Sequence, residues 1–184
     1  MYGLINIGLL RFIEEQYGLD VLTACTQSTP VTEASLCPVS AYDDDITYQI
    51  VGDACRLTGT DPNEFLRLFG RFWVLTVAAR RYAYLLNMSG PTFIDCVDGL
   101  DLMHERLATQ YKNLRQPSFT LRSTDDPREY ILEYRSSRSG MRTFVIGLIE
   151  GLSEYFETPC EVQFLEGYTE PEVVEEFLLR LVSA

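Results

Sequence analysis

The sequence contains a single histidine, His104, within the segment DLMHERLATQY at residues 101–111. A spacing of three and four residues puts an apolar stripe on one face of a predicted helix over residues 93–111, namely Phe93, Val97, Leu100, His104, Leu107 and Tyr111. His104 is therefore expected to point inward. It is either a buried histidine bonded to a backbone carbonyl or a metal ligand presented from a rigid helix.

One histidine limits the metal chemistry that the chain can support. Zinc and non-haem iron sites take about three or four protein ligands, and a spacing such as H-x-x-E-H is absent from the sequence. In haem the porphyrin supplies its own nitrogens, so one imidazole completes the protein's share of ligation. Haem ligation therefore stays open beside a purely structural role.

A second group of polar residues, YRSSR at 134–138, lies at the end of a predicted strand. Because strand side chains alternate, Tyr134, Ser136 and Arg138 should emerge on one face as two hydroxyls and a guanidinium. Such a row of donors suits the binding of carboxylates. The alternative is a polar strand end that faces solvent.

Composition narrows the range of partners. The chain has 15 basic and 27 acidic residues and a net charge of −12, which disfavours nucleic acid and anionic membranes as partners. The opening residues do not predict a signal peptide, and the sequence contains no apolar run of the roughly 18 residues that span a bilayer. The five cysteines are scattered without a C-x-x-C pair, which favours the reducing cytoplasm.

The periodicity predicts an α+β fold. The first 111 residues read as helices with caps at Gly18, at the acidic run 43–45 and at Asp61. Strands are predicted at 119–123 and 129–137, a helix at 140–156, and a second strand pair at 160–168 and 172–182, although the last segment also fits a helix. We expect a helical N-terminal half packed on a C-terminal half with a four-stranded antiparallel sheet and a helix.

These features together resemble the haem nitric oxide/oxygen-binding (H-NOX) family. The resemblance covers essentially the whole chain and is closest to the haem domain of the soluble guanylate cyclase beta subunit and to cyanobacterial H-NOX proteins. It rests on the histidine helix followed by Y-x-S-x-R, on the opening MYGLIN, and on the segments AYDDDITYQIVGDA, FGRFW and LATQYKNLRQPSF.

The resemblance implies a role for each candidate residue around a haem b (iron protoporphyrin IX) held between the two halves. His104 would be the proximal iron ligand, and Tyr134, Ser136 and Arg138 would bind the propionates. Four further residues would contact the porphyrin or form the opposite wall, and each of them could instead be a simple packing residue: Ile5, Pro117, Trp73 and Phe144.

The resemblance also implies a choice of gas. Ferrous five-coordinate haem would bind nitric oxide and carbon monoxide, whereas stable oxygen binding requires a hydrogen-bond donor, which is a tyrosine in oxygen-binding members. Here two alignments put Phe144 or Thr143 at that position, so we expect oxygen to be excluded. Tyr82, Tyr84 and the Trp73 indole remain as other possible donors.

The expected function is that of a sensor and not of an enzyme. Residues 1–184 would form one domain, with a helical subdomain at 1–60 and a haem-ligating subdomain at 61–184. Nitric oxide would release His104 and so signal to a partner, which could be a cyclase, a histidine kinase or a diguanylate cyclase. The alternatives are an oxygen-binding sensor or carrier, a haem peroxidase, which would need a second histidine, and a haem-free interaction module.

Overall fold

The computed structural model describes residues 1–27, 29, 31–110, 115–168 and 172–182. Helices dominate up to residue 110, and an antiparallel sheet with one long helix occupies the remainder of the described chain. The predicted α+β class is confirmed. Tyr111, which was predicted to end the histidine helix, lies outside the described residues.

The N-terminal helices carry the caps predicted from the sequence at three of their ends. They are α1 (Gly3–Tyr17), α2 (Leu19–Gln27), α3 (Asp44–Thr58) and α4 (Pro62–Phe72). Gly18 ends α1 at a φ of 90°, and its N–H donates to the carbonyl of Glu14. The Asp43 carboxylate caps α3, and the Asp61 carboxylate accepts hydrogen bonds from the first amides of α4.

The helix that starts at Pro62 does not stop at Phe72. It continues through a π-helical turn, Trp73–Ala78, into the short helix α5 (Ala79–Arg81), and α6 (Ala83–Ser89) follows. A π-helical turn holds one residue more than an α-helical turn and is frequent at functional sites. No helix of the described residues is long and apolar enough to cross a membrane.

The histidine helix consists of two pieces, and the prediction of one continuous helix over 93–111 is wrong. The pieces are α7 (Phe93–Asp98) and α8 (Leu100–Gln110), separated at Gly99. Glycine is a poor helix former, so the interruption falls at the one residue without a side chain. The apolar stripe nevertheless survives, because Phe93, Val97 and Leu100 are all buried.

Four strands form one antiparallel sheet in the order β1-β2-β4-β3. They are β1 (Ser118–Ser123), β2 (Glu129–Ser136), β3 (Cys160–Tyr168) and β4 (Val173–Leu181), and α9 (Arg142–Tyr155) connects β2 to β3. The last segment is therefore a strand, and its helical alternative is excluded by the alternation that buries Val173, Glu175, Phe177 and Leu179.

Two apolar clusters form the core. One joins α1, α3 and α4, and the other joins α7, α9 and the sheet. Trp73 and Phe144 pack against both clusters. Helix α4 lies so close to α9 that a Cβ added at Gly147 would be 2.0 Å from the carbonyl oxygen of Arg67. The glycine therefore lets the two helices pack backbone against backbone.

We expect Gly147→Ala to lower the free energy of unfolding by roughly 3 kcal/mol, since an added methyl must push the α4 backbone away. Gly52→Ala in α3 is the matched control, because a Cβ there meets nothing within 4 Å. That change should stabilise the helix by about 0.5–1 kcal/mol. Urea unfolding checks both, and equal effects of the two substitutions would contradict the close packing of α4 on α9.

Candidate cofactor site

A cavity of about 270 Å³ opens where the two clusters meet. Its walls come from α1, the π-helical turn, α8, α9 and the end of β2, and they are mainly apolar. It is close to the lower end of the roughly 300–1,000 Å³ typical of small-molecule pockets. All of the site residues predicted from the sequence line this one cavity: Ile5, Trp73, His104, Pro117, Tyr134, Ser136, Arg138 and Phe144.

The imidazole of His104 is oriented by its own helix. Its Nδ1 lies 2.7 Å from the carbonyl oxygen of Leu100, one turn earlier in α8. A carbonyl only accepts, so Nδ1 carries the proton and the neutral ring keeps its lone pair on Nε2. The ring also stacks on Phe119, with 5.5 Å between the centroids.

Burial lowers the pKa of His104, and the Leu100 carbonyl and the Asp101 charge offset this only in part. The neutral form is therefore favoured at physiological pH. Asp101 is only partly exposed, and its carboxylate accepts a hydrogen bond from the backbone N–H of Phe119 at 3.1 Å. This bond ties the histidine helix to the start of the sheet.

The end of β2 carries the polar row that strand alternation predicts. Tyr134 and Ser136 are buried, with exposed fractions of 4% and 6%, whereas Arg135 and Ser137 face solvent. Burial raises the pKa of the Tyr134 phenol, a hydrogen bond with Ser136 opposes this rise, and the charge of Glu175 adds to it. The hydroxyl therefore stays protonated and can donate a hydrogen bond.

Arg138 already has protein partners. Its Nε lies 3.0 Å from both carboxylate oxygens of Asp44, and its Nη1 donates to the carbonyl of Arg115 at 2.8 Å. The N-terminal ammonium of Met1 pairs with the same Asp44 carboxylate. Burial alone would raise the pKa of Asp44. The hydrogen bonds and charges of these two cations have the larger combined effect, so the pKa is lowered. This ion pair joins helix α3 to the end of β2.

The wall formed by α9 and the π-helical turn is aromatic. Phe144 lines it and packs on Phe69 at 5.1 Å between ring centroids. Thr143, the other residue that alignment suggested, is absent from the lining. The Trp73 indole lies beside Gly8, since a Cβ built there would be 3.3 Å from Nε1, and this nitrogen is buried without a partner among the described residues.

The two tyrosines named above as possible hydrogen-bond donors to a bound gas differ in position. Tyr82 lines the cavity, whereas Tyr84 is 60% exposed and does not. Sequence reasoning did not identify Asp44 as part of the site, because the acidic run 43–45 reads only as a helix start. Gln116 was missed as well: it lines the cavity beside Pro117, and its amide oxygen is buried without a partner among the described residues.

Comparison with known proteins shows the family and agrees with the fold. A family profile described as Haem-NO-binding matches residues 2–164. The fold matches that of a solved Cs H-NOX mutant at a TM-score of 0.88 and 22% identity, with 100% of this chain and 97% of the other covered. It also matches a solved oxygen-binding H-NOX domain at a TM-score of 0.87 and 22% identity, with 100% of this chain and 96% of the other covered. The chain belongs to the H-NOX family, whose members bind haem.

The relatives found by sequence are guanylate cyclases. Soluble guanylate cyclase gcy-33 of Caenorhabditis elegans is 33% identical over 167 residues, which are 90% of this chain and 18% of that protein. Soluble guanylate cyclase 89Da of Drosophila melanogaster is 26% identical over 168 residues, which are 91% of this chain and 25% of the relative. The chain thus spans a quarter or less of the length of these relatives, and the part it matches is the H-NOX sensor domain.

Asp44→Asn should lower the free energy of unfolding by about 1–3 kcal/mol at pH 7, because two cations lose a charged acceptor. The folded-state pKa of Asp44 is lowered, so its contribution is present above the unfolded value of about 3.9 and is lost as pH falls through the folded value. The difference between wild type and variant should therefore shrink on acidification below about pH 4.

Asp53→Asn serves as the control for this measurement, because Asp53 pairs with the exposed Arg56 on the same helix. A surface pair of this kind contributes about 0–1 kcal/mol. If denaturant titrations give the same small change for both variants at pH 7, the Asp44–Arg138 pair does not stabilise the junction of the two halves.

Proposed function

We propose that the domain is a haem-based sensor of nitric oxide, which also binds carbon monoxide and does not bind oxygen stably. The observation that carries the proposal is the state of His104. Its Nδ1 is committed to Leu100, which leaves the Nε2 lone pair of a neutral ring as the one available to a metal, in a cavity that Tyr134, Ser136 and Arg138 also line.

The residues around the cavity fit haem b in their chemistry. An apolar wall suits the macrocycle, one imidazole supplies a nitrogen ligand, and the Tyr134, Ser136 and Arg138 side chains supply donors for carboxylates. The amide oxygen of Gln116, buried without a partner among the described residues, marks a further polar side chain that a ligand in the cavity could bind. When bound, the haem would supply the ferrous iron at which a diatomic gas binds.

Each candidate residue then has a defined task. His104 would hold the iron from α8, while the hydroxyls of Tyr134 and Ser136 and the guanidinium of Arg138 would bind the propionates. Ile5 of α1 and Pro117, which precedes β1, line the cavity and would contact the porphyrin ring. Trp73 and Phe144 form the wall opposite and exclude water from it.

The aromatic wall supports the proposed selectivity. Bound oxygen carries partial negative charge and requires a donor, but Phe144 has none. The N–H edge of Trp73 lies against Gly8. The second candidate function is oxygen binding, and the observation in its favour is that this indole nitrogen has no partner among the described residues.

The signal would leave through the histidine helix. His104 would hold the haem from α8, so that a gas bound at the haem would act on this helix through the histidine, whose release would free α8 to shift. Residues 61–184 would move against residues 1–60, with the Arg138–Asp44 pair as a link between them. A partner senses the shift only if it binds one of the two arrangements more tightly.

The output would belong to another domain or protein. The cyclase relatives support a cyclase as the partner, and a histidine kinase or a diguanylate cyclase would be an equivalent output. The five cysteines are scattered along the sequence without a C-x-x-C pair, which favours reducing conditions and supports a cytoplasmic location.

The test is the absorption spectrum of the purified, reduced protein with and without each gas. We expect an intense haem band that shifts with nitric oxide and is unchanged by air. His104→Gly should lose most of its haem unless imidazole is added, because a free imidazole restores the missing nitrogen. A protein that takes up no added haemin would instead support a haem-free interaction module.

Phe144→Tyr should gain oxygen binding, since its hydroxyl would supply the missing donor on the cavity wall. Thr143→Tyr is the control, because residue 143 does not line the cavity. Oxygen titration of the reduced variants, followed by absorbance, distinguishes them. Stable oxygen binding by the unmodified protein that disappears in Trp73→Phe would overturn the proposed selectivity and favour the oxygen sensor.

A further inference from the structure

The side chain of Gln116 is incompletely satisfied. It lies in the segment between α8 and β1, lines the cavity, and its amide oxygen Oε1 is buried without a hydrogen-bond partner among the described residues. The carbonyl oxygen of the preceding residue, Arg115, accepts a hydrogen bond from Arg138 Nη1. Gln116 is thus fixed beside the carboxylate-binding end of the cavity by its backbone neighbours.

A buried amide oxygen without a hydrogen-bond partner is unfavourable, and folded proteins contain few such atoms. The group that would complete it is therefore expected to be a ligand. A glutamine can present either its oxygen or its NH2 group at the same position after a half-turn of the terminal amide. Gln116 can consequently act as a neutral donor toward a carboxylate.

The charges at this end of the cavity favour a neutral donor. Arg138 and the Met1 ammonium share the single carboxylate of Asp44, which leaves about one positive charge. The nearby acid Glu175 is paired with Arg142 and adds no net charge. Two propionates therefore cannot both be neutralised by buried cations, and the second needs hydrogen bonds from uncharged groups.

We propose that the Gln116 amide donates a hydrogen bond to a porphyrin carboxylate, as a further cofactor-binding residue outside the Y-x-S-x-R motif. The inference rests on the proposed haem-binding function. The donors for the two carboxylates are then Arg138, Tyr134, Ser136 and Gln116, one of them charged and three neutral. Arg115 lines the rim with an exposed side chain, where solvent weakens its charge.

The test compares Gln116→Leu, Gln116→Glu and the control Gln163→Leu, which alters an exposed residue of β3. Haem dissociation is followed by transfer to an excess of a haem-free globin. Gln116→Leu should speed dissociation about tenfold, the effect of losing one hydrogen bond to a charged group. Gln116→Glu should speed it further, because two carboxylates then face each other, and the control should leave the rate unchanged.

Two further measurements separate binding from a structural role. In the haem-free protein Gln116→Leu should raise the melting temperature, since it removes an unpaired buried polar group. With haem dimethyl ester, whose carboxylates are capped, wild type and Gln116→Leu should release the ligand at similar rates. A loss of haem that persists with the ester would overturn the proposal in favour of simple packing.

The outcomes for the two proposals are distinguishable. Wild-type protein that takes up no haem contradicts the proposed function itself. Wild-type protein that holds haem, with a Gln116→Leu variant that releases it at the same rate, contradicts only the role of Gln116. Faster release by Gln116→Leu together with a more stable haem-free variant supports both.

Discussion

The hydrogen bond between His104 Nδ1 and the Leu100 carbonyl is the constraint on which the site depends. The chain has only one histidine, and this bond decides which of its nitrogens is available. Because the acceptor belongs to the same helix, the ring cannot turn independently of α8 without breaking the bond. The imidazole and helix α8 must therefore move together. A sensor needs this coupling if a change at the ring is to displace the backbone.

The cavity is shared between the two apolar clusters. Trp73 and Phe144 pack against both of them, and the Arg138–Asp44 pair joins the sheet to α3 at the polar end. The packing of α4 on α9 is rigid by comparison, because glycine brings their backbones into contact. Of these two contacts, only the ionic junction can exchange partners with a ligand carboxylate.

Local patterns predicted much of the fold and of the site. Caps at Gly18 and Asp61, and the alternation that points Tyr134 and Ser136 inward, depend on neighbours within a few residues, so sequence alone was sufficient. The interruption at Gly99 was missed because the apolar spacing continues across it. The partner of Arg138 was missed for a different reason: Asp44 is 94 residues away, and such a pairing exists only once the halves have packed.

The ambiguity between Thr143 and Phe144 was also beyond the sequence. The turn between β2 and α9 sets the rotation of the helix, and a shift of one residue changes which side chain reaches the cavity. The π-helical turn at Trp73–Ala78 also changes which side chains face the cavity. It adds one residue to a turn, and an analysis of sequence periodicity assumes regular α-helical turns. In both places the phase of a helix, and not its existence, decides the chemistry of the wall.

The position of Trp73 has an optical consequence. It is the sole tryptophan of the chain, and it lies in the wall of the cavity between the two clusters. Its ultraviolet emission therefore comes from one place, and a haem in the cavity would quench it by energy transfer. The same indole would report a change in packing between the halves as a change in emission wavelength, so occupancy and conformation can be followed in one cuvette without any attached dye.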